Sequence, residues 1–271
     1  MKCKICGSQT ADFGTLKLMG KYDASYRRCL MCGFIFAENP YWLPEAYSSA
    51  ITVTDMGTVS RTDRNSLMTK AIIDVFYSSS QQFLDYGAGY GMFVRRMRDL
   101  GYNFYAYDPH CRNMFAEQVA LSDLGNHTFD LTTAFEVFEH LQDPAQLALE
   151  LWPHTDQLLV TTEIVPTPAP PLDEWWYYAP EHGQHVSFFT LDALRIIGEA
   201  GNRNLCSNGA NLHLFSRGKV SNYLFNKVTS ERASQWIGLW RRRRSLLEGD
   251  WHKQRADVLT SLGYEAAKYG R

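Results

Sequence analysis

The chain has 271 residues, 45% hydrophobic and 14% aromatic, which suits one large domain with small attachments and excludes a disordered segment. Its 27 basic and 29 acidic residues nearly cancel, so bulk charge calls for no polyanion partner. The opening MKCKICGSQT lacks the apolar run of a secretory signal, and no later stretch approaches about 18 consecutive apolar residues. A cytoplasmic protein without a membrane span is expected, with its six cysteines reduced.

The first motif is a doubled Cys-x-x-Cys, Cys3 with Cys6 and Cys29 with Cys32, each pair followed directly by a glycine, Gly7 and Gly33. Four thiolates complete a tetrahedral zinc shell with no position left for water, so the ion expected here is structural. The alternatives are four reduced thiols in a small core, or a redox dithiol. The single Cys111 and Cys206 read as small hydrophobes.

FLDYGAGYGMF, from Phe83, reads as a short strand running into glycines at 87, 89 and 91. Glycines here admit a ligand close to the backbone. Met92 stands where a dinucleotide fingerprint needs its third glycine, and no Gly-Lys-Ser/Thr follows for a phosphate loop. GMFVRRMRDLGY has the apolar spacing of a helix stopping at Gly101. NFYAYDP reads as a strand ending at Asp108, QVALSDL as a short third strand, and FDLTTAFEVF and QLLVTTEIV as two more. TLDALRIIGEAG carries a threonine N-cap and a glycine stop, and Asn204–Ser207 and Asn211–Ser216 lie close enough to pair antiparallel. Strands alternating with helices argue for an α/β fold: a Rossmann-like, mostly parallel sheet of about seven strands with helices on both faces. A ligand then sits beyond the carboxyl ends of the strands, where Asp85, the glycine loop and Asp108 gather.

LDYGAGYG, then YDP, then FDLTTAFEVFEHLQDP resembles the class I S-adenosylmethionine-dependent methyltransferases over roughly residues 60–217. The resemblance implies S-adenosylmethionine as cofactor. It places Gly87, Ala88 and Gly89 at the methionine end, with Asp85, Tyr86 and Gly91 completing the loop. Asp108, followed by Pro109, accepts from the ribose hydroxyls, while Phe135, Glu136 and Val137 line the cofactor with His140 nearby. Ser122 and Asp123 are candidate adenine contacts. Three parts are expected: a zinc-binding module at 1–45, the methyltransferase domain at 46–217 and a helical extension at 218–271.

PTPAPPLDEWWYYAPEHGQHVSFF, the segment before Thr190, is rich in proline and aromatics and holds Glu181, His182 and His185. Histidine suits the removal of a proton from a methyl acceptor. With the four-cysteine module, this stretch is similar to the sugar-nucleotide C-methyltransferases. The turn His185-Val186-Ser187-Phe188-Phe189 matches theirs and gives His185 the role of base, while His182 and Gln184 depart from the expected tyrosine and glutamate. The resemblance implies a small-molecule acceptor, a sugar or a phosphorylated or nucleotide-linked compound. From Arg217 to Arg255 ten basic and three acidic residues occur, including Arg241 to Arg244. Trp236, Leu239, Trp240 and Leu247 recur at helical spacing and are expected to pack inward. The rival reading of that tail, with the zinc module, is a nucleic-acid binder or nucleic-acid methyltransferase.

Overall fold

The computed structural model describes residues 1–48, 52, 54–240 and 242–264. Among them the strands are β1 (Thr10–Leu18), β2 (Tyr22–Cys29), β3 (Ile35–Ala37), β4 (Phe83–Tyr86), β5 (Phe104–Tyr107), β6 (Leu131–Phe135), β7 (Gln157–Thr161), β8 (Ser187–Phe188), β9 (Asn204–Ser207) and β10 (Leu212–Ser216). The chain divides into two compact units, Met1–Met56 with Asn126–Lys227, and Gly57–Gly125 with Val228–Arg271.

Six strands follow the α/β pattern: β4 and β5 pair in the second unit, and β6, β7, β10 and β9 lie side by side in that order in the first. The pairs β4–β5 and β6–β7 are parallel, while β10 runs antiparallel to both β7 and β9. One strand fewer forms than expected. QVALSDL does not extend into a strand; Glu117–Val119 turns as a 3-10 helix and only Ala120 bridges to Ala106, with Leu121 N donating to the Ala106 carbonyl at 2.8 Å. The short stretch between Asp108 and Phe129 leaves no length for a strand once the chain has turned back.

In the first unit β1, β2, β3 and β8 make a second, antiparallel sheet. Met19 and Gly20, both at positive φ, close the β1–β2 hairpin in a tight turn with Lys21 N on the Leu18 carbonyl at 3.0 Å. The aromatic insertion is not a free loop. Tyr177, Tyr178 and Phe188 share one buried cluster with Tyr26 and Ile35 of the N-terminal strands and with Trp42 beyond them, and Trp42 Nε1 donates to the Gly183 carbonyl at 2.7 Å. The helix Leu191–Ala200 follows, capped by Thr190 Oγ1 accepting from Ala193 N at 3.1 Å; the same hydroxyl donates to the Cys32 carbonyl.

The second unit buries its charges in pairs. Lys70 Nζ lies 2.6 Å from Asp74 Oδ2, both side chains 2% exposed, and Tyr102 donates to Asp74 Oδ1 at 2.6 Å. Arg243 stacks on Tyr102 at 4.2 Å and reaches Asp74 at 3.6 Å. Arg98 forks onto Asp250 with contacts of 2.8 and 2.5 Å, and Arg95 joins at 2.8 Å. The inward packing expected of the tail does not occur: Trp236 is 66%, Leu239 59% and Leu247 52% exposed. The helix Glu231–Trp240 turns Ser234 inward, with Ile237 and Gly238 half-buried, and so leaves Trp236 and Leu239 on its outer face, while Leu247 belongs to the next helix. Arg241 and the side chain of Trp240 lie outside the described residues.

Replacing Lys70 by Met removes the ammonium 2.6 Å from Asp74 and leaves a buried carboxylate beside the Tyr102 hydroxyl, with Arg243 farther off at 3.6 Å. The expected loss is about 3 kcal/mol in urea unfolding, since an ion pair broken on one side leaves an uncompensated charge. A Lys70→Met variant within a few tenths of a kcal/mol of wild type contradicts this account.

Candidate functional site

In the second unit, parallel register sets Phe83 against Phe104 and Tyr86 against Tyr107. Both chains therefore leave the sheet at one edge, into the glycine loop and into Asp108. Gly91, at φ +82, caps the helix Met92–Asp99, and a Cβ there would run into the Asn113 side chain. Both facts demand glycine. Asp108 is held by three backbone N–H groups: Gly89 N donates to Oδ2 at 2.8 Å, and His110 N and Cys111 N donate to Oδ1 at 2.8 and 2.9 Å. A carboxylate accepts about four hydrogen bonds, so one position remains open. Asp85 is buried at the end of β4, and Tyr86 packs on Tyr107 with ring centroids 5.3 Å apart.

In the first unit, β6 ends at Phe135 and Glu136 follows at φ +54, a left-handed conformation unusual for its type. Thr161 fixes it twice, its Oγ1 accepting from Glu136 N at 3.0 Å and donating to Glu136 Oε1 at 2.7 Å. The next turn delivers Glu139 and His140. Glu139 is fully buried, and neither carboxyl oxygen has a hydrogen-bond partner among the described residues. The Tyr177 and Thr162 hydroxyls, 3.3 Å from each other, lie near it without bonding geometry.

Against this turn stands the histidine group of the insertion. His185 and His140 rings meet edge to face at 4.9 Å, His182 lies 5.0 Å from His185, and Tyr177 lies 4.6 Å from it. His185 Nδ1 donates to the Tyr177 carbonyl at 2.8 Å, which leaves Nε2 as a lone pair. Tyr47 Oη lies 2.9 Å from His140 Nδ1, and His182 Nδ1 accepts from Gln184 N at 3.1 Å. Burial, then the neighbouring His182, lowers His140 to about 4. Burial, then His140, holds His185 well below its ordinary value, and burial lowers His182. Burial, then the Glu136 charge, raises Glu139 well above the carboxylate range. At neutral pH the imidazoles are therefore uncharged, and each has a lone pair.

The sequence profile of the methyltransferase domain family matches residues 61–205, more than half of the chain. The chain belongs to the methyltransferase domain family. It is an S-adenosylmethionine-dependent methyltransferase. Solved structures to which the chain is similar include magnesium protoporphyrin IX methyltransferase from Synechocystis PCC 6803, with 11% identity over 65% of this chain and 93% of that one at a TM-score of 0.48. An O-methyltransferase family protein from Burkholderia thailandensis has 10% identity over 66% of this chain and 68% of its own, TM-score 0.45. Human N-acetylserotonin methyltransferase has 13% identity over 66% of each chain, TM-score 0.44. No curated protein matches the sequence.

Among the methyltransferase's expected site residues, Gly87, Ala88, Gly89 and Asp108 share one edge of the second unit, with Pro109 exposed beyond them. Phe135 ends β6 in the first unit and Glu136, Val137 and His140 follow it, each half-buried. His182 and His185 come together, but Glu181 is exposed, and the group that orients His185 is the Tyr177 carbonyl. Ser122 and Asp123 are exposed and bond each other at 3.3 Å. Sequence reasoning passed over Glu139, Tyr47 and Tyr177. The available signal was the second acid of FEVFEHL, a carboxylate set among residues that pack inward.

The four paired cysteines do converge. Cys3 and Cys32 sulfurs lie 3.7 Å apart, Cys6 and Cys29 3.4 Å, and Cys6 and Cys32 3.7 Å. Four sulfurs at about 2.3 Å from one ion are separated by such distances, whereas a disulfide needs about 2.05 Å. Backbone N–H groups of Ile5 and Cys32 point at Cys3 and Cys29 Sγ, each at 3.4 Å, and Gly7 and Gly33 take φ of +71 and +70. The residues fit a tetrahedral thiolate centre. Among the described residues no helix is long and apolar enough to cross a membrane.

Buried neutral histidines make stability depend on pH. His213, fully buried between Ser207 Oγ and the Thr162 carbonyl, is lowered to about 4 by burial, like His140. Between pH 6.5 and about 4 the unfolded chain binds protons that these folded rings refuse, so stability falls as pH falls through that window. Glu139 opposes the trend above pH 4.5, since its folded carboxyl holds its proton longer than the unfolded one. A His213→Gln variant should show a shallower decline of melting temperature over the same window. A decline as steep as wild type removes His213 from the account.

Proposed function

We propose that the protein transfers a methyl group from S-adenosylmethionine to a small-molecule acceptor of the sugar or nucleotide-linked sugar class. The donor side rests on Gly87, Ala88 and Gly89, with Asp85, Tyr86, Gly91, Asp108 and Pro109 around them and with Phe135, Glu136, Val137 and His140 assigned from the motif. The observation that carries the reading is Asp108, a carboxylate tied to the glycine loop through Gly89 N and keeping one acceptor position for a ribose hydroxyl. S-adenosylmethionine supplies an electrophilic methyl on a sulfonium: the acceptor's electron pair forms the new bond as the sulfur–carbon pair returns to sulfur. His185 takes the acceptor's proton on Nε2, the lone pair that its Nδ1 bond to Tyr177 leaves free. His182 stands beside it, and Glu181 acts on His182 from the surface.

S-adenosylhomocysteine should raise the melting temperature, since a ligand bound only by the native state adds about 2.7 kcal/mol at a hundredfold excess over Kd. Asp108→Ala should remove most of that rise by losing a charge-assisted hydrogen bond. A shift with NAD and none with S-adenosylhomocysteine rejects the donor assignment.

We further propose that Cys3, Cys6, Cys29 and Cys32 hold one structural zinc ion. The support is the convergence of four sulfurs within 3.4–3.7 Å along three edges of the cluster. Cobalt substitution should give the intense sulfur-to-metal charge-transfer absorption of a thiolate centre, absent from a Cys29→Ser, Cys32→Ser protein. Wild type that is fully folded with no metal on the sulfurs refutes it.

A further inference from the structure

The Glu139 carboxyl poses a problem that the methyl-transfer reading leaves open. It is fully buried, unpartnered among the described residues, and close enough to Glu136 to feel its charge. A carboxylate taken out of water without compensation is costly, so the site calls for a positive charge or a proton. Beside it stand two imidazoles that carry no charge. One carboxylate oxygen of Glu139, one ring nitrogen of His140 and one of His185 lie within 4.8 Å of one another. Ligand atoms around a single ion at about 2.1 Å sit about 3–4 Å apart, so a small tightening of three side chains closes the shell.

We propose that Glu139, His140 and His185 bind one first-row divalent transition-metal cation, and that this cation receives an oxygen of the methyl acceptor. Two further observations support it. His185 donates Nδ1–H to the Tyr177 carbonyl, and Tyr47 Oη bonds His140 Nδ1. Metal-bound histidines have outer partners of this kind, which fix the ring and raise the basicity of the ligating nitrogen. The donor set is two nitrogens and a carboxylate oxygen, with the Glu136 carboxylate alongside. It suits manganese, iron, cobalt or zinc, and differs from the four sulfurs of the cysteine cluster.

Three protein ligands leave coordination positions open. An acceptor hydroxyl on the ion loses its proton to solvent water more readily, because the cation stabilises the oxyanion. The oxygen keeps that electron pair and spends it on the new oxygen–methyl bond, while the sulfur–methyl pair goes to sulfur. The inference rests on the reading of this cluster as the acceptor's site. It replaces one step, because the His185 Nε2 lone pair then lies on the ion and takes no proton. It also narrows the acceptor to an oxygen nucleophile able to reach a metal.

The test is a manganese(II) titration of the full chain, read by loss of the free-ion electron paramagnetic resonance signal and by thermal melting. Manganese(II) prefers nitrogen and oxygen donors and does not compete for the thiolates. One tightly bound ion per chain is expected, with a higher melting temperature. Glu139→Gln and His185→Asn should each weaken binding by at least about tenfold, while the S-adenosylhomocysteine shift is retained. In chelator, Glu139→Gln should melt no lower than wild type, because it removes an uncompensated buried group. Absence of manganese binding, equal binding by both variants, or a Glu139→Gln protein that melts lower in chelator overturns the proposal. Loss of the S-adenosylhomocysteine response in wild type strikes the donor assignment, and the manganese result stands apart from it.

Discussion

The backbone of Val186 is the tie on which the first unit depends. Its N–H donates to the Glu139 carbonyl at 2.8 Å, and its carbonyl accepts from Ala37 N at 2.9 Å. One residue thus joins the turn after β6 to the N-terminal sheet. Just beyond it in the chain, Ser187 Oγ donates to the Leu141 carbonyl at 2.6 Å and Val165 N donates to the Phe189 carbonyl at 2.8 Å. His185 immediately precedes this tie, so its ring is placed by bonds to three other segments of the chain and does not swing with a loop. Buried backbone groups must find partners, and here the partners they find hold the histidine against the Glu139–His140 turn.

The two units treat buried charge in opposite ways. In the second, each buried cation meets a carboxylate: Lys70 with Asp74, Arg98 with Asp250. Arg243, one of the four consecutive tail arginines, is spent on Tyr102 and Asp74, and Arg244 pairs with Glu248 at 3.3 Å. The run is therefore not a uniform basic face. The first unit gathers three histidines and a carboxyl whose charges are suppressed by burial. Paired charge rigidifies; suppressed charge is chemically available.

Elements with strong local signals were legible in the sequence. β9, β10 and the Thr190-capped helix fall where propensity and caps place them, because Thr190 and Gly201 act on their own neighbours. The glycine loop and Asp108 come together as read, since two parallel strands in register deliver them to one edge. What could not be read depends on contacts between distant residues. β8 has only two residues and exists because β3 offers it partners. The insertion reads as an exposed binding loop by composition, yet Tyr177 and Tyr178 are core residues of the N-terminal sheet. Glu139 is an ordinary surface residue by type, and only the fold takes it out of water. The tail's apolar period does not mark its buried face, because the helix that carries Trp236 and Leu239 buries Ser234 instead and Leu247 lies on the next helix.

The Thr190 hydroxyl faces two ways, donating to the Cys32 carbonyl and accepting from Ala193 N at the start of the helix Leu191–Ala200, while the Thr190 carbonyl accepts from Leu194 N. Gly33 sits so close that a Cβ there would press on the Thr190 methyl at 2.9 Å. The second cysteine pair and the start of that helix are consequently one mechanical piece, although some 150 residues of sequence lie between them. Oxidation or alkylation of Cys29 or Cys32 would be felt as fraying of a helix in the methyltransferase fold. Amide protons of Ala193 and Leu194 are where damage to the sulfurs would register.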